Sequence, residues 1–349
     1  AILRNGSGDG HHAVVFKSTS QGMGHGHFDK LNWLYYHNGR EIVTDYGAAR
    51  FLNVEQKYGG HYLPENVSWA KQTVAHNTLV VDERSHFEGK VSVGEQFHPT
   101  PLYFEANDDI QITAASMEGA YPGVQFARTM AFLNGIVADG PVVVDVLSVS
   151  SKGKHQYDLP LHFSGQFIAT NRELESATEK LVPLGKSNGY EHLWLRAQSD
   201  LNAGEQFSLT WLNANRFYTY TTLAQADSQI LITELGANDP NFNLRPELAL
   251  ILRSKKTPNH SFVSVLEPHG EYNGPEEYTV DSRGRIDSME RFSANGSDLI
   301  RLTTSDASEF YLGLSYDPDM NKEHSVTVGE QAFTWKGFYG LFPDTEEGQ

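Results

Sequence analysis

The sequence predicts an all-β protein, a large antiparallel β-sandwich, and three observations carry that expectation. Apolar and aromatic runs of strand length recur along nearly the whole chain. Turn signals such as Asn38-Gly39, Asn134-Gly135 and Asp139-Gly140-Pro141 separate them. One segment, residues 64–75, reads as a helix, with Pro64 suited to its first turn.

Taken in order, residues 14–18, 31–37 and 41–45 are the first strands, the last two joined as a hairpin through Asn38-Gly39. Residues 78–82, 102–106, 111–116, 125–133 and 142–149 follow. Next come 192–198, 207–212, 217–223, 229–234, 248–255 and 262–267, then 299–304, 310–315, 325–328 and 333–341. Strands at short spacing with turns between them argue for an antiparallel sandwich. Breaks at residues 238–246 or 268–285 could end a main sandwich. The division expected is 1–245, carrying the site, and 246–349 as a smaller sheet layer, continuous with the first or separate. No fixed-period repeat or low-complexity tract is visible.

The chain has 349 residues and 11% aromatics, enough for a folded domain with a substantial core. Its longest apolar runs, 141–147 and 248–252, fall far short of the roughly 18 residues a membrane-spanning helix needs. With no cysteine, a transition-metal site must use His, Asp or Glu. The first residue is Ala1, so a processed form, an excised piece or the downstream part of a longer polypeptide is expected. Residues 1–90 hold nine Lys/Arg and nine Asp/Glu, so the rest of the chain carries the whole net charge of −17. That acidic body disfavours a nucleic-acid partner. The neutral segment also holds eight of the 15 histidines, which marks it for a metal or an anionic substrate.

Chemistry concentrates in two stretches of that segment. The first is Gly24-His25-Gly26-His27-Phe28-Asp29-Lys30, accompanied by Asp45-Tyr46-Gly47 and Ala75-His76-Asn77 at later strand ends. Two imidazoles and a carboxylate can hold Zn2+ and leave a position open. Their spacing matches no local zinc motif, and any single one of these histidines could equally be a core or surface residue. The second stretch, residues 58–77, groups Tyr62, Glu65, Asn66, Trp69, Lys71 and Gln72, a composition suited to a sugar surface or to a capped helix with exposed polars. Asp317-Pro318-Asp319-Met320-Asn321 lacks the Gly and Glu of a calcium loop. His11 and His12 read as a loop.

In identity and order, His25-Gly-His27-Phe-Asp29-Lys30, Asp45-Tyr-Gly-Ala-Ala-Arg50-Phe, Tyr62-Leu-Pro-Glu65-Asn66 and Trp69-Ala-Lys71-Gln-Thr-Val-Ala-His76-Asn77-Thr resemble the C-terminal half of heparinase II/III-like lyases. The nearest likeness is to family 17 polysaccharide lyases, the oligoalginate lyases. The resemblance implies zinc on His27, Asp45 and His76, a catalytic Tyr62, and substrate contacts from His25, Arg50, Glu65, Asn66 and Lys71. It also implies exolytic β-elimination on alginate oligomers, with the site in a groove against an N-terminal (α/α) toroid. No run of amphipathic helices that could form the toroid occurs in this chain, so half of the active site is expected elsewhere.

β-Elimination on a uronate needs a base for the C5 proton and stabilisation of charge growing on the carboxylate. Tyrosine titrates near 10, so a Tyr62 base needs nearby positive charge, for which Zn2+, Lys71 and Arg50 are candidates. Between Lewis acid and staple, the metal is expected to be the staple, holding the loops around Tyr62. The expected partners are an acidic oligosaccharide and the toroid, with a homodimer admitted, and the expected location is the bacterial periplasm or outside the cell, the cytoplasm also being compatible. The alternatives are a lyase for another acidic glycan, such as a heparan-like chain, and a non-catalytic carbohydrate-binding sandwich.

Overall fold

The computed structural model describes residues 1–6, 10–47, 50–54, 59–137, 140–177, 179–317 and 319–343. Its centre is a 12-stranded antiparallel sheet built around two long strands, Gly140–His162 and Leu248–His269. These pair with each other along most of their length. In one half, residues 142–149 pair with Val124–Val137, which leads outward to Ile110–Tyr121 and Thr100–Ala106. In the other, residues 248–254 pair with Ser228–Leu235. The register shifts between Ser254, Thr257 and Asn259, where the ladder becomes irregular.

Alternation along the central strands makes the molecule three layers deep. Val143, Leu147 and Val149 face one core with Phe126, Phe132, Trp211, Val14, Trp33 and Tyr35. Val142, Val144 and Val146 face the other core with Val263, Val265, Met289, Ile300 and Leu312. Side chains two apart share a face of a strand, so one apolar run serves both cores. The first core is covered by a four-stranded sheet of Ile2–Asn5, His12–Phe16, Trp33–His37 and Arg40–Val43. The second is covered by Ile286–Ala294, Ser297–Thr304, Glu309–Ser315 and Tyr339–Pro343. The all-β antiparallel sandwich expected from the sequence is therefore the fold.

The structure differs from the sequence reading at several places. Leu248–His269 belongs to the central sheet, so a boundary at 245/246 would cut that sheet; strand pairing changes instead within the polar stretch 268–285. Residues 248–255 and 262–267 are one strand, joined through a polar, partly exposed middle that hides the continuity from a hydrophobicity reading. The expected helix over 64–75 is broken into a single π turn, Asn66–Ala70, and a 3-10 turn, Thr73–Ala75, with Gln72 extended between them. Tertiary bonds outweigh helix continuation there. Thr73 Oγ1 donates to Phe28 O at 2.7 Å, and Trp69 is fully buried.

Candidate functional site

The site is carried by loops at the ends of the four-stranded sheet. His25 closes a 3-10 turn, Met23–His25, in the loop before Trp33–His37, and is exposed. His27 follows two residues later, partly buried. A Cβ at position 26 would lie 1.3 Å from the Gln21 carbonyl oxygen, so only glycine lets the loop close between the two histidines. Asp45 comes just after the Arg40–Val43 strand, and His76 caps the turn Thr73–Ala75.

These loops converge. The rings of His27 and His76 are 5.1 Å apart by centroid, and ligand-capable atoms of His27, Asp29 and His76 all lie within 4.8 Å of one another. Asp45 reaches the same place by another route, its Oδ1 accepting from His76 Nδ1 at 2.5 Å. Its Oδ2 takes a hydrogen bond from Lys17 Nζ at 3.1 Å, and Lys17 also pairs with Asp29. Asp29 and Lys17 were missed as site residues by the sequence reading. Asp29 lay inside the quoted motif, whereas Lys17 has no local signal and is delivered by the His12–Phe16 strand end.

The electrostatics follow from burial. Desolvation lowers His27 to about 4, with His76 adding to the effect, so the ring is neutral and able to ligate at pH 7. Burial works to raise the Asp45 carboxyl, but His76 and Lys17 beside it overcome this and hold it well below the ordinary range. His76 Nε2 is fully buried and has no hydrogen-bond partner among the described residues. A buried ring nitrogen without a partner is costly unless something outside the protein completes it. Imidazole nitrogens beside ionised carboxylates are a donor set that suits Zn2+.

Beneath the cluster lies a network that the sequence reading did not find. Asn77, fully buried, accepts the His162 N–H at 2.7 Å and donates to Trp33 O and Thr44 O at 2.9 and 2.8 Å. Its own N–H reaches Asn32 Oδ1 at 2.9 Å. One side chain thus ties the residue after His76 to the residue before Asp45 and to the strand that follows His27. Arg128 supports it from below, donating to Leu31 O at 2.9 Å and Asn77 O at 2.5 Å while forming a two-pronged pair with Asp145. Both charges are buried, at 1% and 2% exposure.

The remaining expected residues divide. Tyr62 ends the turn Gly59–Tyr62 and is 89% exposed, on a rim where the neighbouring His61 ring meets His25 edge-on at 6.0 Å. Lys71 Nζ donates to Gly24 O at 2.6 Å, fastening the His25 turn to this rim. Arg50 is committed elsewhere, pairing with Glu41 and donating to Asp45 O at 2.7 Å. Glu65 is buried and accepts from Asn243 Nδ2 at 3.0 Å, so it anchors the loop around Asn243 instead of facing a ligand. Asn66 is also buried, donating to His61 O at 3.3 Å. Neither Arg50 nor Lys71 hydrogen-bonds Tyr62. Tyr58 lies outside the described residues.

Residues 1–283 match the family model described as heparinase II/III-like, C-terminal. The chain belongs to that family. It is 49% identical over 341 residues to an exo-oligoalginate lyase of Saccharophagus degradans, covering 97% of this chain and 46% of the relative. It is 51% identical over 337 residues to an alginate lyase of Stenotrophomonas maltophilia, covering 97% of this chain and 45% of that protein. The chain thus spans about half the length of these relatives. Among solved structures, the heparan sulfate lyase of Pedobacter heparinus aligns with a TM-score of 0.61 at 14% identity, over 90% of this chain and 41% of that one. A heparinase III aligns at 0.59 and 12% identity, over 96% and 40%. At such identities the likeness is one of fold. No helix among the described residues is long and apolar enough to cross a membrane.

Proposed function

We propose that this chain is the β-sandwich part of a polysaccharide lyase that cleaves alginate oligomers exolytically by β-elimination, with Tyr62 as its contribution to proton transfer. The observation that carries the reading is the near 50% identity to an oligoalginate and an alginate lyase, sustained over 97% of the chain. The exposure of Tyr62 supports it, since a tyrosine with its ring in solvent is placed to meet substrate or a covering domain. The covering part is an N-terminal (α/α) toroid, and the setting is the periplasm or the cell exterior.

In the reaction the C5 proton of a 4-linked uronate is removed and the C4–O bond breaks as the C4=C5 double bond forms. The departing oxygen takes up a proton, and a correctly placed tyrosine can serve as base or acid. His25, on the same rim, offers a hydrogen bond to the sugar. Lys71 acts by fastening the Gly24 turn.

His27, Asp45 and His76 would hold zinc, and the Asp29 carboxylate lies within reach of both rings. When bound, the ion supplies cross-linking of three loops and a fixed positive charge below the rim. His27 stays neutral for it, and Lys17 balances the two carboxylates. His76→Ala is expected to lose zinc and lower the melting temperature together; normal zinc content by elemental analysis would remove His76 from the ligand set. Asp45→Asn against Asp29→Asn, compared the same way, decides which carboxylate the ion needs.

The activity test uses the full-length enzyme with alginate oligomers and with heparan sulfate, following the ultraviolet absorbance of the unsaturated product. Absorbance with alginate alone is expected. Absorbance with heparan sulfate alone would move the substrate to a different glycan, and none with either would leave a non-catalytic carbohydrate-binding sandwich.

A further inference from the structure

A second polar cluster lies at the other end of the Trp33–His37 strand. Asn77 holds the Trp33 carbonyl beside the candidate metal centre, and His37 lies four residues on, roughly 13 Å away at about 3.3 Å per residue. There a cavity of about 190 Å³ opens between two hairpin tips, residues 37–40 and 213–216, with Glu271 on its wall.

His37 lines this cavity although it is only 5% exposed. Its Nδ1 pairs with Tyr218 Oη at 2.7 Å, and its Nε2 hydrogen-bonds to nothing among the described residues. Behind it His12 stacks on the same ring at 3.9 Å between centroids and pairs with Tyr35 Oη at 2.6 Å. His12 is thus a buried strand residue, where the sequence reading had a loop. Burial, with Arg216 nearby, lowers His37 to about 4, so at neutral pH the ring carries one proton. When Tyr218 donates to Nδ1, that proton sits on Nε2.

Two guanidinium groups share the cavity. Arg216 is fixed by donating from Nη1 to Gly270 O at 2.8 Å. Arg40 is exposed, and its side chain forms no hydrogen bond or ion pair among the described residues. Asn213 and Asn215 spend their Nδ2 groups on Ser164 O at 2.8 Å and Glu271 Oε1 at 3.4 Å, which turns amide oxygens to acceptor duty.

We propose that this cavity is a second, non-catalytic binding site for a single carboxylate-bearing sugar. Guanidinium groups and an imidazole N–H match a carboxylate. Amide oxygens and Glu271 match hydroxyl donors, which a bare inorganic anion lacks. The volume is below the ~300–1,000 Å³ of sites for drug-sized ligands, so one sugar residue fits and a chain does not. On a body of net charge −17, the exposed Arg40 guanidinium supplies positive charge at the mouth of this cavity.

The test titrates this protein with D-glucuronate, D-glucose and sulfate by isothermal calorimetry. Glucuronate is expected to bind at least tenfold more tightly than either glucose or sulfate. Arg40→Glu is expected to weaken glucuronate at least tenfold without changing the melting temperature, while Lys152→Glu, a charge reversal elsewhere, leaves it unchanged. Equal binding of glucose, equal binding of sulfate, no binding by the folded protein, or full binding by Arg40→Glu would each overturn the proposal. The monomer has no glycosidic bond to cleave, so this outcome is independent of the lyase reading.

Discussion

The floor and the rim of the candidate site are built on opposite terms. The floor consists of Asn77, Arg128 and Asp145, buried and satisfied by one another and by backbone carbonyls. The rim consists of His25, His61 and Tyr62, exposed and held by few bonds. A buried polar group is costly whenever its partner is removed, whereas an exposed one exchanges its partner for water. The floor should therefore govern stability and metal retention, and the rim should govern chemistry with little effect on folding.

The largest effect on stability is expected from Arg128→Met. It leaves Asp145 buried without its cation and frees the Leu31 and Asn77 carbonyls, at a cost of about 3–5 kcal/mol. Arg128→Met with Asp145→Leu should recover much of that loss. A single variant that melts like the wild type would mean the floor does not carry the fold.

Asn77→Ala should cost on the order of 3 kcal/mol, because the Trp33 and Thr44 carbonyls and the His162 N–H lose their partner at once. It should also release zinc, although Asn77 touches no ion, because His76 and Asp45 lose the strut between them. Chemical denaturation and metal analysis read the two losses separately. Retained zinc with lowered stability would separate the floor from the metal site.

Burial can be probed away from the site through His260, whose ring meets Phe262 edge-on at 4.3 Å between centroids. Burial, with Arg291 nearby, lowers its folded value to about 4 from the usual 6.5. The unfolded chain then binds the proton more readily, so the contribution is present above about 6.5 and is lost as pH falls toward 4. His260→Phe should flatten the stability profile across that window by on the order of 2 kcal/mol, with no change at pH 8 beyond packing. An unchanged slope would show that folding does not depress the proton affinity of His260.

The smallest stability effect is expected at the rim. Tyr62→Phe should shift unfolding by less than about 0.5 kcal/mol, while lowering lyase turnover of the full-length enzyme on alginate oligomers by ~100-fold or more. Zinc content should stay at the wild-type level. Undiminished turnover would remove Tyr62 from the chemistry and leave it as a surface residue.

Much of the fold was legible in sequence because burial leaves a period. Apolar runs such as 142–149 and 229–234 fall inside observed strands, and Asn38-Gly39 forms the expected hairpin turn with both φ angles positive. Strands with one weakly apolar face were not legible. Ile286–Ala294 buries Ile286 and Met289 across a register shift, so its alternation is broken, and Gln166–Thr170 is largely exposed. At the site, the motif around His25 to Asp29 and the position of His76 were visible as clustered residue types. The Lys17 bridge and the Asn77 strut were not, because each depends on strands far apart in sequence.

By itself, then, the sequence determined the all-β class, the neutral histidine-rich segment on an acidic body, and the blocks that place the chain among heparinase II/III-like C-terminal domains. Those properties reside in composition, period and residue order. Tertiary structure alone decided which polar side chains are spent on the protein and which remain for a ligand. Glu65 and Arg50 looked like substrate contacts and are tied inward. Asp29 stands beside two histidines as a second carboxylate, and His37 reappears on the wall of a separate cavity. The physical reason is that hydrogen-bond satisfaction is set by neighbours in space, and no local pattern records who those neighbours are.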